Sequence, residues 1–226
     1  IYMTSFMRDL YANIPNVGIR KLNSAYAVGG GPLLVSTIES NYRVDIDNYA
    51  SVDFSSMANI IDLVGGVDLE VSTQEAGYIN MYLDEQCRLQ GLNASDYYVT
   101  GGGITHLNGN QAVGFARIRY TSRGSEHSDY GRTSRQREIL VQLMQKARSL
   151  DATTLLAVVN NMLPLITHNI DAATLTTLIA NAPSYINYDI QTDRIPYDNM
   201  YTNLGEELVP DFEATINRLH QTIYGN

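Results

Sequence analysis

The spacing of hydrophobic residues divides the first part of the chain into short strands and helices. Residues 1–7 and the segment VDLEV at 67–71 have the length and residue types of strands. The segment SSMANIIDLVGG at 55–66 has apolar residues at helical spacing and ends on two glycines, which predicts a helix and its stop. A further helix is expected to begin near Pro32, and residues 8–23 are predicted as a loop because they contain turn-forming proline and glycine.

The rest of the chain continues this alternation. A turn is expected at Asn108–Gly109, followed by a short helix and then a strand that ends in Arg117 and Arg119. A helix is predicted from Gly131 to about Leu150. Further elements are strands at 48–54 and 189–196 and helices at 151–166, 171–185 and 208–225. Strands alternating with helices predict an α/β fold, a single domain over residues 1–226 with a mixed β-sheet packed between α-helices.

The composition narrows the classes of function. A net charge of −9 argues against nucleic-acid binding, which needs a broad basic surface. Cys87 is the single cysteine and cannot form an internal disulfide, and the four histidines (His106, His127, His168, His220) lack the spacing of metal ligands. No apolar run reaches the roughly 18–20 residues of a transmembrane helix.

Arginine is concentrated in one short part of this acidic chain. The whole sequence has 15 Lys and Arg against 24 Asp and Glu. Six arginines nevertheless fall between positions 117 and 137, namely Arg117, Arg119, Arg123, Arg132, Arg135 and Arg137. A guanidinium group binds phosphate oxygens through two parallel hydrogen bonds and stays charged near neutral pH. The cluster therefore indicates an anion site.

The predicted elements allow these arginines to converge. Arg117 and Arg119 would point from the same face of a strand, because side chains alternate along it. Arg132, Arg135 and Gln136 stand at i, i+3 and i+4, on one face of the next helix. Four arginines exceed what one carboxylate needs, so a pyrophosphate is the simplest anion. The alternative is a solvent-facing helix whose arginines pair with Glu126, Asp129 and Glu138.

Two upstream stretches can add to such a site. Arg8 and Asp9 follow the first strand directly, where open α/β sheets place ligand groups. Lys21 and Asn23 precede a Gly-rich helix entry, where free backbone N–H groups favour anions. Each stretch is also compatible with a flexible turn.

Taken in order, these segments resemble the LytR-CpsA-Psr family. The family pattern has an Arg-Asp after a strand, then K-(I/L)-N-x-A-Y, D-x-(L/V)-G-G-V, H-L-N-G-x-Q-A, R-x-R and D-x-G-R-x-x-R-Q. This chain has Arg8-Asp9, KLNSAY at 21–26, DLVGGV at 62–67, HLNGNQA at 106–112, RIR at 117–119 and DYGRTSRQ at 129–136. The likeness covers nearly the whole chain.

The resemblance implies a fold, an activity and a site. The fold would be LytR-CpsA-Psr-like, in a membrane-anchored bacterial protein whose catalytic domain lies on the extracellular face of the cell membrane. The activity would be Mg²⁺-assisted transfer of a teichoic acid or capsular polysaccharide from an undecaprenyl-pyrophosphate carrier to a peptidoglycan hydroxyl. The residues expected around the pyrophosphate are Arg8, Lys21, Arg117, Arg119, Arg132 and Gln136. Arg135, Asn23 and Asp9 are further candidates for substrate binding.

One part of the family pattern has no counterpart in this sequence. Family members have two metal-binding aspartates before the Arg-Asp strand, so the expected Mg²⁺ ligands and the membrane anchor would lie upstream of Ile1, and the metal ligands within this chain are unknown. We therefore expect a domain without its first strands, which alone has little or no Mg²⁺-dependent transferase activity. Two alternatives to the transferase remain: a polyprenyl-phosphate-binding module without turnover, and a transcriptional regulator, which the negative charge disfavours.

Overall fold

A computed structural model describes residues 1–91, 93–121, 128–185 and 187–225. The helices are α1 (Asn23–Tyr42), α2 (Phe54–Leu63), α3 (Thr73–Gln90), α4 (Gly109–Arg117), α5 (Ser128–Arg148), α6 (Ala152–Met162), α7 (Ala172–Tyr185) and α8 (Phe212–Tyr224). The strands are β1 (Tyr2–Phe6), β2 (Tyr11–Ile14), β3 (Gly18–Lys21), β4 (Ala50–Ser51), β5 (Val67–Val71), β6 (Gly103–Leu107), β7 (Thr167–His168), β8 (Gln191–Ile195), β9 (Tyr201–Leu204) and β10 (Glu207–Pro210). Short 3₁₀ helices lie at Ala94–Tyr97 and Leu163–Leu165.

Residues 1–51, 168–172 and 189–226 form one compact unit. Within it β1 pairs in parallel with β8, from Tyr2 opposite Gln191 to Phe6 opposite Ile195. β2 pairs with β3 and β9 with β10, both antiparallel. The predicted loop at 8–23 is wrong, because it contains the β2–β3 hairpin. Ala12 and Ile14 alternate with exposed Asn13 and are buried in the core of this unit.

Helix α1 begins earlier than predicted, at Asn23 rather than near Pro32. The backbone leaves helical geometry at Gly29 and Gly30, and the helix then continues to Tyr42. Gly30 has φ of +62°, which a residue with a side chain rarely adopts. The glycines therefore mark a kink inside the helix rather than its start.

Residues 52–167 and 173–188 form the second compact unit. β5 and β6 pair antiparallel, and their apolar faces join helices α2 to α5 in one core that includes Ile61, Leu69 and Phe115. Helix α3 was absent from the predicted elements. Its first turn is fixed by a capping box, in which the Ser72 hydroxyl accepts the Glu75 backbone N–H and the Glu75 side chain accepts the Ser72 N–H.

The strand predicted to end in Arg117 and Arg119 is also wrong. Helix α4 continues to Arg117, and Ile118 caps it. Its start is set by a capping box between Asn108 and Gln111, and by a 2.7 Å hydrogen bond from the Gly109 N–H to Asp62 Oδ1. Arg117 therefore projects from a helix end and Arg119 from the segment that follows.

The α/β class and the mixed strand directions are confirmed. The strands of the two units pair as small ladders of two strands, both parallel and antiparallel, rather than as one continuous sheet. The single domain over residues 1–226 stays a prediction.

The close approach of α4 to α2 gives a stability test. In Gly109→Ala the new Cβ would lie 2.0 Å from the Ala58 carbonyl oxygen, so two helix backbones would have to separate. We expect the free energy of unfolding to fall by about 2–3 kcal/mol in urea denaturation. Gly77→Ala is the matched control, because its Cβ would meet nothing within 4 Å. The Gly77→Ala protein should be more stable than the wild type by about 0.5–1 kcal/mol, because alanine favours a helix interior more than glycine does. A Gly109→Ala protein as stable as the wild type would contradict this packing.

Candidate functional site

The structure brings most of the predicted arginines of the second unit to one pocket of about 510 Å³. Arg117, Arg119, Arg132 and Gln136 lie on what we call the cation side of this pocket. Helix α3 contributes Tyr78, Met81, Tyr82 and Glu85 to the lining, and we call these four residues the α3 side. The full lining consists of Phe54, Tyr78, Met81, Tyr82, Glu85, Gly114, Ala116, Arg117, Ile118, Arg119, Tyr120, Arg132 and Gln136.

Arg117 is held between two aromatic rings. Its guanidinium carbon lies 4.9 Å from the centre of the Phe54 ring and 4.6 Å from that of Tyr82. The negative faces of both rings attract the cation. The guanidinium is therefore oriented by α2 and α3 before any ligand binds.

Asp129 connects the other two arginines of the cation side. Its Oδ1 atom lies 3.4 Å from Arg119 Nε and 3.1 Å from Arg132 Nη2. This is the pairing that the solvent-facing alternative predicted for Asp129. Arg119 and Arg132 nevertheless both line the pocket.

The prediction that Arg135 binds substrate disagrees with the structure. Its side chain is fully buried and is absent from the pocket lining. Arg135 Nε donates to Glu75 Oε1 at 2.9 Å, Nη1 to the Ile118 carbonyl at 3.3 Å and Nη2 to the Thr121 carbonyl at 3.2 Å. We call Arg135, Glu75 and these two carbonyls the buried clamp. It fixes both ends of the short segment that presents Arg119.

The upstream candidates lie together in the first unit. Asp9 Oδ2 is 3.1 Å from Arg8 Nε, and Asp9 Oδ1 is 3.3 Å from Lys21 Nζ. Lys21 Nζ also donates to Glu206 at 3.1 Å. The hydrogen bond to Glu206, followed by the interactions with Asp9, raises the pKa of Lys21 despite some desolvation. Asn23 begins α1, and its backbone N–H donates to the Arg8 carbonyl at 3.1 Å.

A smaller apolar cavity of about 300 Å³ adjoins the arginine pocket, with which it shares Phe54, Ala116 and Gln136. Its other lining residues are Val52, Asp53, Met57, Val113, Ile139 and Leu140. Asp53 is the N-cap of α2, and the Ser56 N–H that it accepts holds the pKa of its carboxyl below the usual value. This hydrogen bond satisfies the Asp53 carboxylate. Because the other lining residues are mostly apolar, the cavity suits a hydrocarbon.

The chain is similar to known proteins over nearly its whole length. A protein-family model described as the LytR_cpsA_psr family matches residues 1–219. The chain belongs to the LytR-CpsA-Psr family.

Three relatives show the extent of the likeness within the LytR-CpsA-Psr family. The transferase TagU of Oceanobacillus iheyensis, named a polyisoprenyl-teichoic acid–peptidoglycan teichoic acid transferase, is 30% identical over 235 aligned positions, covering 99% of this chain and 65% of TagU. The regulatory protein MsrR of Staphylococcus aureus (strain COL) is 34% identical over 146 residues, covering 64% of this chain and 38% of MsrR. The chain thus spans less than two thirds of either relative. The solved structure of TagT bound to LIIa-WTA shares the fold, with a TM-score of 0.72 and 19% identity over 99% of this chain and 78% of TagT.

Sequence reasoning missed the α3 side of the pocket in this LytR-CpsA-Psr chain. Tyr78, Met81, Tyr82 and Glu85 line the pocket from successive turns of α3. Their positions i, i+3, i+4 and i+7 are the spacing of one helical face, so the signal was present in the sequence. The sequence could not show whether this helical face lines a pocket or packs into the core, because a stripe of residues at this spacing commonly packs into a core.

No metal site is found in the part of this LytR-CpsA-Psr chain that the structure describes. Its His, Cys, Asp and Glu residues form no group of three or more that could hold an ion. Cys87 is a buried free thiol, and His106 Nδ1 lies 2.8 Å from Asp68 Oδ1. Arg123, Glu126 and His127, which were named in the sequence analysis, lie outside the described residues. In the described helices no stretch combines the length and the hydropathy needed to cross a membrane.

The buried clamp can be tested by a double-mutant cycle. Arg135→Met should lower the free energy of unfolding by about 3–5 kcal/mol in urea denaturation, because Glu75 would keep a buried charge without its cationic partner. The double variant with Arg135→Met and Glu75→Gln should lose less free energy of unfolding than the sum of the losses in the two single variants. The difference, which is the coupling energy, should be about 1–3 kcal/mol.

The exposed pair of Arg43 and Glu213, 3.6 Å apart, provides the matched control for the cycle. Glu213→Gln should change the free energy of unfolding by less than about 1 kcal/mol. Strictly additive effects of the Arg135 and Glu75 changes would show that the two side chains act independently.

Proposed function

We propose that this chain is the phosphotransferase domain of a protein that moves a teichoic-acid-type glycopolymer from a polyprenyl-pyrophosphate carrier to a peptidoglycan hydroxyl. The observation that supports this most directly is the arginine pocket, with Arg117, Arg119 and Arg132 on one side and an apolar cavity adjoining it. A diphosphate attached to a hydrocarbon needs both features next to each other. The name of TagU, and the TagT structure with a bound wall teichoic acid, support the same class of substrate.

The proposed reaction replaces one phosphoryl–oxygen bond by another. The acceptor hydroxyl oxygen attacks the phosphorus on the glycan side of the pyrophosphate, and the bond from that phosphorus to the bridging oxygen breaks. The products are a glycan–peptidoglycan phosphodiester and a prenyl phosphate, which takes up the hydroxyl proton. Negative charge grows on the bridging oxygen as its bond breaks. Such reactions depend mainly on positioning and on charge stabilisation.

The residues of the cation side supply that stabilisation in this proposal. Arg119 and Arg132 exchange contacts with Asp129 for hydrogen bonds to the phosphate oxygens. Arg117 donates to the phosphate from its position against the Phe54 and Tyr82 rings. The Gln136 amide donates to a further oxygen from the boundary with the apolar cavity. Fixed guanidinium donors require no reorganisation while charge develops, which is what lowers the barrier.

The prenyl tail would occupy the apolar cavity. Met57, Val113 and Leu140 are among its lining residues. Ile60 and Ile61, which lie on α2 with Met57, are buried in the core at 7% and 0% exposure and do not line this cavity. In the first unit, Arg8, Asp9 and Lys21 form a polar group of matching chemistry, and the prediction that Arg8 and Lys21 hold the same diphosphate stays a prediction.

The first test concerns the arginine geometry. Arg119→Lys keeps the positive charge but loses the paired donors, so it should weaken binding of geranylgeranyl pyrophosphate by about 1–3 kcal/mol, or roughly 5- to 150-fold. Isothermal titration of both proteins measures this. Arg88→Lys, at an exposed position on α3 that does not line the pocket, is the matched control and should bind like the wild type. Equal affinities for Arg119→Lys and the wild type would remove the argument from paired hydrogen bonds.

The second test concerns Mg²⁺, which is a proposal taken from the family resemblance. The described residues provide no ligand set for it, so no step above depends on it. Because Mg²⁺ in phosphoryl transfer is commonly held by one or two carboxylates and the substrate phosphates, we expect turnover of the full-length protein to require it. Release of prenyl phosphate from a lipid-linked glycan should stop in excess EDTA and return when Mg²⁺ is added.

Two results of that assay would decide against parts of the proposal. Full turnover in EDTA would contradict the metal requirement. Tight binding of the lipid-linked glycan with no release of prenyl phosphate under any of these conditions would favour the binding module over the transferase.

A further inference from the structure

Phe54 lies where the arginine pocket meets the apolar cavity. The two cavities share three lining residues, Phe54, Ala116 and Gln136, and of these Phe54 has the only large apolar side chain. Phe54 is 55% exposed, so much of its surface is open to a ligand. A hydrocarbon in the apolar cavity would therefore lie against the same ring that contacts Arg117.

Arg117 depends on its ring contacts more than the other two arginines of the cation side do. Each of those two lies within ion-pair distance of Asp129. The Arg117 side chain forms no hydrogen bond or ion pair with any residue that the structure describes. Its guanidinium carbon lies 4.9 Å from the centre of the Phe54 ring and 4.6 Å from that of Tyr82. Two cation–π contacts therefore orient this arginine.

The strength of a cation–π contact depends on the water around it. Such a contact shifts an equilibrium by about two- to fivefold at an exposed site and by about 30-fold or more once water is removed. The reason is that a charge and a ring interact more strongly at low dielectric. Hydrocarbon packed on the half-exposed Phe54 ring would remove water from the pair and strengthen its hold on Arg117.

The backbone that carries Phe54 is fixed independently of any ligand. Phe54 is the first residue of α2 and follows the N-cap Asp53 directly. Asp53 Oδ1 accepts the Ser56 N–H at 2.7 Å, which holds the helix start in place. The ring is therefore presented to both cavities from one defined position.

We propose that Phe54 is a positioning residue that makes the Arg117 contact depend on the hydrocarbon tail of the ligand. A tail in the apolar cavity covers the Phe54 ring, and the desolvated ring then holds the Arg117 guanidinium in place for the diphosphate. The inference rests on the proposed function, because it needs a ligand that joins a diphosphate to a hydrocarbon. A soluble diphosphate without a tail binds without the full contribution of Arg117, so Phe54 adds specificity for lipid-linked ligands.

Tyr82 provides a comparison within the same site. Its ring contacts Arg117 at a similar distance but does not line the apolar cavity. A tail in that cavity leaves the Tyr82 ring uncovered, so the hold of Tyr82 on Arg117 is the same with and without a tail. Gln136 lines both cavities, but its neutral amide forms no cation–π contact and cannot take the place of Phe54.

The experiment measures two affinities of the full-length protein by isothermal titration, one for inorganic pyrophosphate and one for geranylgeranyl pyrophosphate. Phe54→Leu keeps an apolar side chain but removes the ring. It should weaken binding of geranylgeranyl pyrophosphate about five- to tenfold and binding of pyrophosphate less than about twofold. Tyr82→Leu should weaken binding of both probes by a similar factor. Phe54→Tyr keeps the ring and should bind both probes like the wild type.

A double-mutant cycle separates the hold on Arg117 from direct contact with the tail. In an Arg117→Met background, Phe54→Leu should change the affinity for geranylgeranyl pyrophosphate less than about twofold, because the ring has no guanidinium left to hold. An equal loss with and without Arg117 would show that Phe54 only contacts the tail, and it would overturn the inference. Thermal melting of each variant checks the fold.

The same measurements distinguish this inference from the proposed function. If the wild type binds geranylgeranyl pyrophosphate but Phe54→Leu weakens binding of both probes equally, or of neither, the positioning role of Phe54 is wrong and the proposed function stands. If the wild type does not bind geranylgeranyl pyrophosphate, both proposals fall.

Discussion

The buried ion pair between Arg135 and Glu75 determines where the arginines of the pocket lie. The Glu75 side chain is held in place by the capping box at the start of α3. Arg135 joins that helix end to α5, and its remaining donors bond the Ile118 and Thr121 carbonyls. The segment between these carbonyls contains Arg119 and Tyr120, both of which line the pocket. Desolvating such a pair is costly, so its effect is a defined geometry more than a gain in stability.

Of the four arginines of the second unit that the sequence predicted would meet, Arg117, Arg119 and Arg132 line one pocket and Arg135 does not. Arg132 and Gln136 share a helical face and line the pocket, as their i, i+4 spacing indicated. Arg117 and Arg119 line it as well, although no strand holds them there. The capping box at Asn108 and Gln111 favours a helix through Arg117. The alternating R-x-R motif, which is typical of a strand, was given more weight.

Other features could not be predicted from local patterns. Arg135 has the same spacing from Arg132 as a pocket residue would have, and its burial depends on Glu75, 60 positions away in the sequence. In the first unit, the β2–β3 hairpin buries Ala12 and Ile14. These are only two apolar residues in a segment rich in turn formers, so the local pattern did not indicate a strand. Each of these outcomes is decided by tertiary packing rather than by propensity.

Asp129 explains how two arginines of the pocket, Arg119 and Arg132, can lie close together. Its carboxylate lies between Arg119 and Arg132 and offsets their mutual repulsion while holding both in position. Under the proposed function, a pyrophosphate that enters the pocket would replace part of this interaction, so its binding energy would be the difference between two sets of charge-assisted contacts. The diphosphate offers more oxygen atoms than one carboxylate and can reach Arg117 and Gln136 as well, which Asp129 does not contact in the described structure. Under the proposed function, a preference for a diphosphate over smaller anions would follow from this exchange, because a ligand with fewer oxygens would form fewer contacts in return for displacing Asp129.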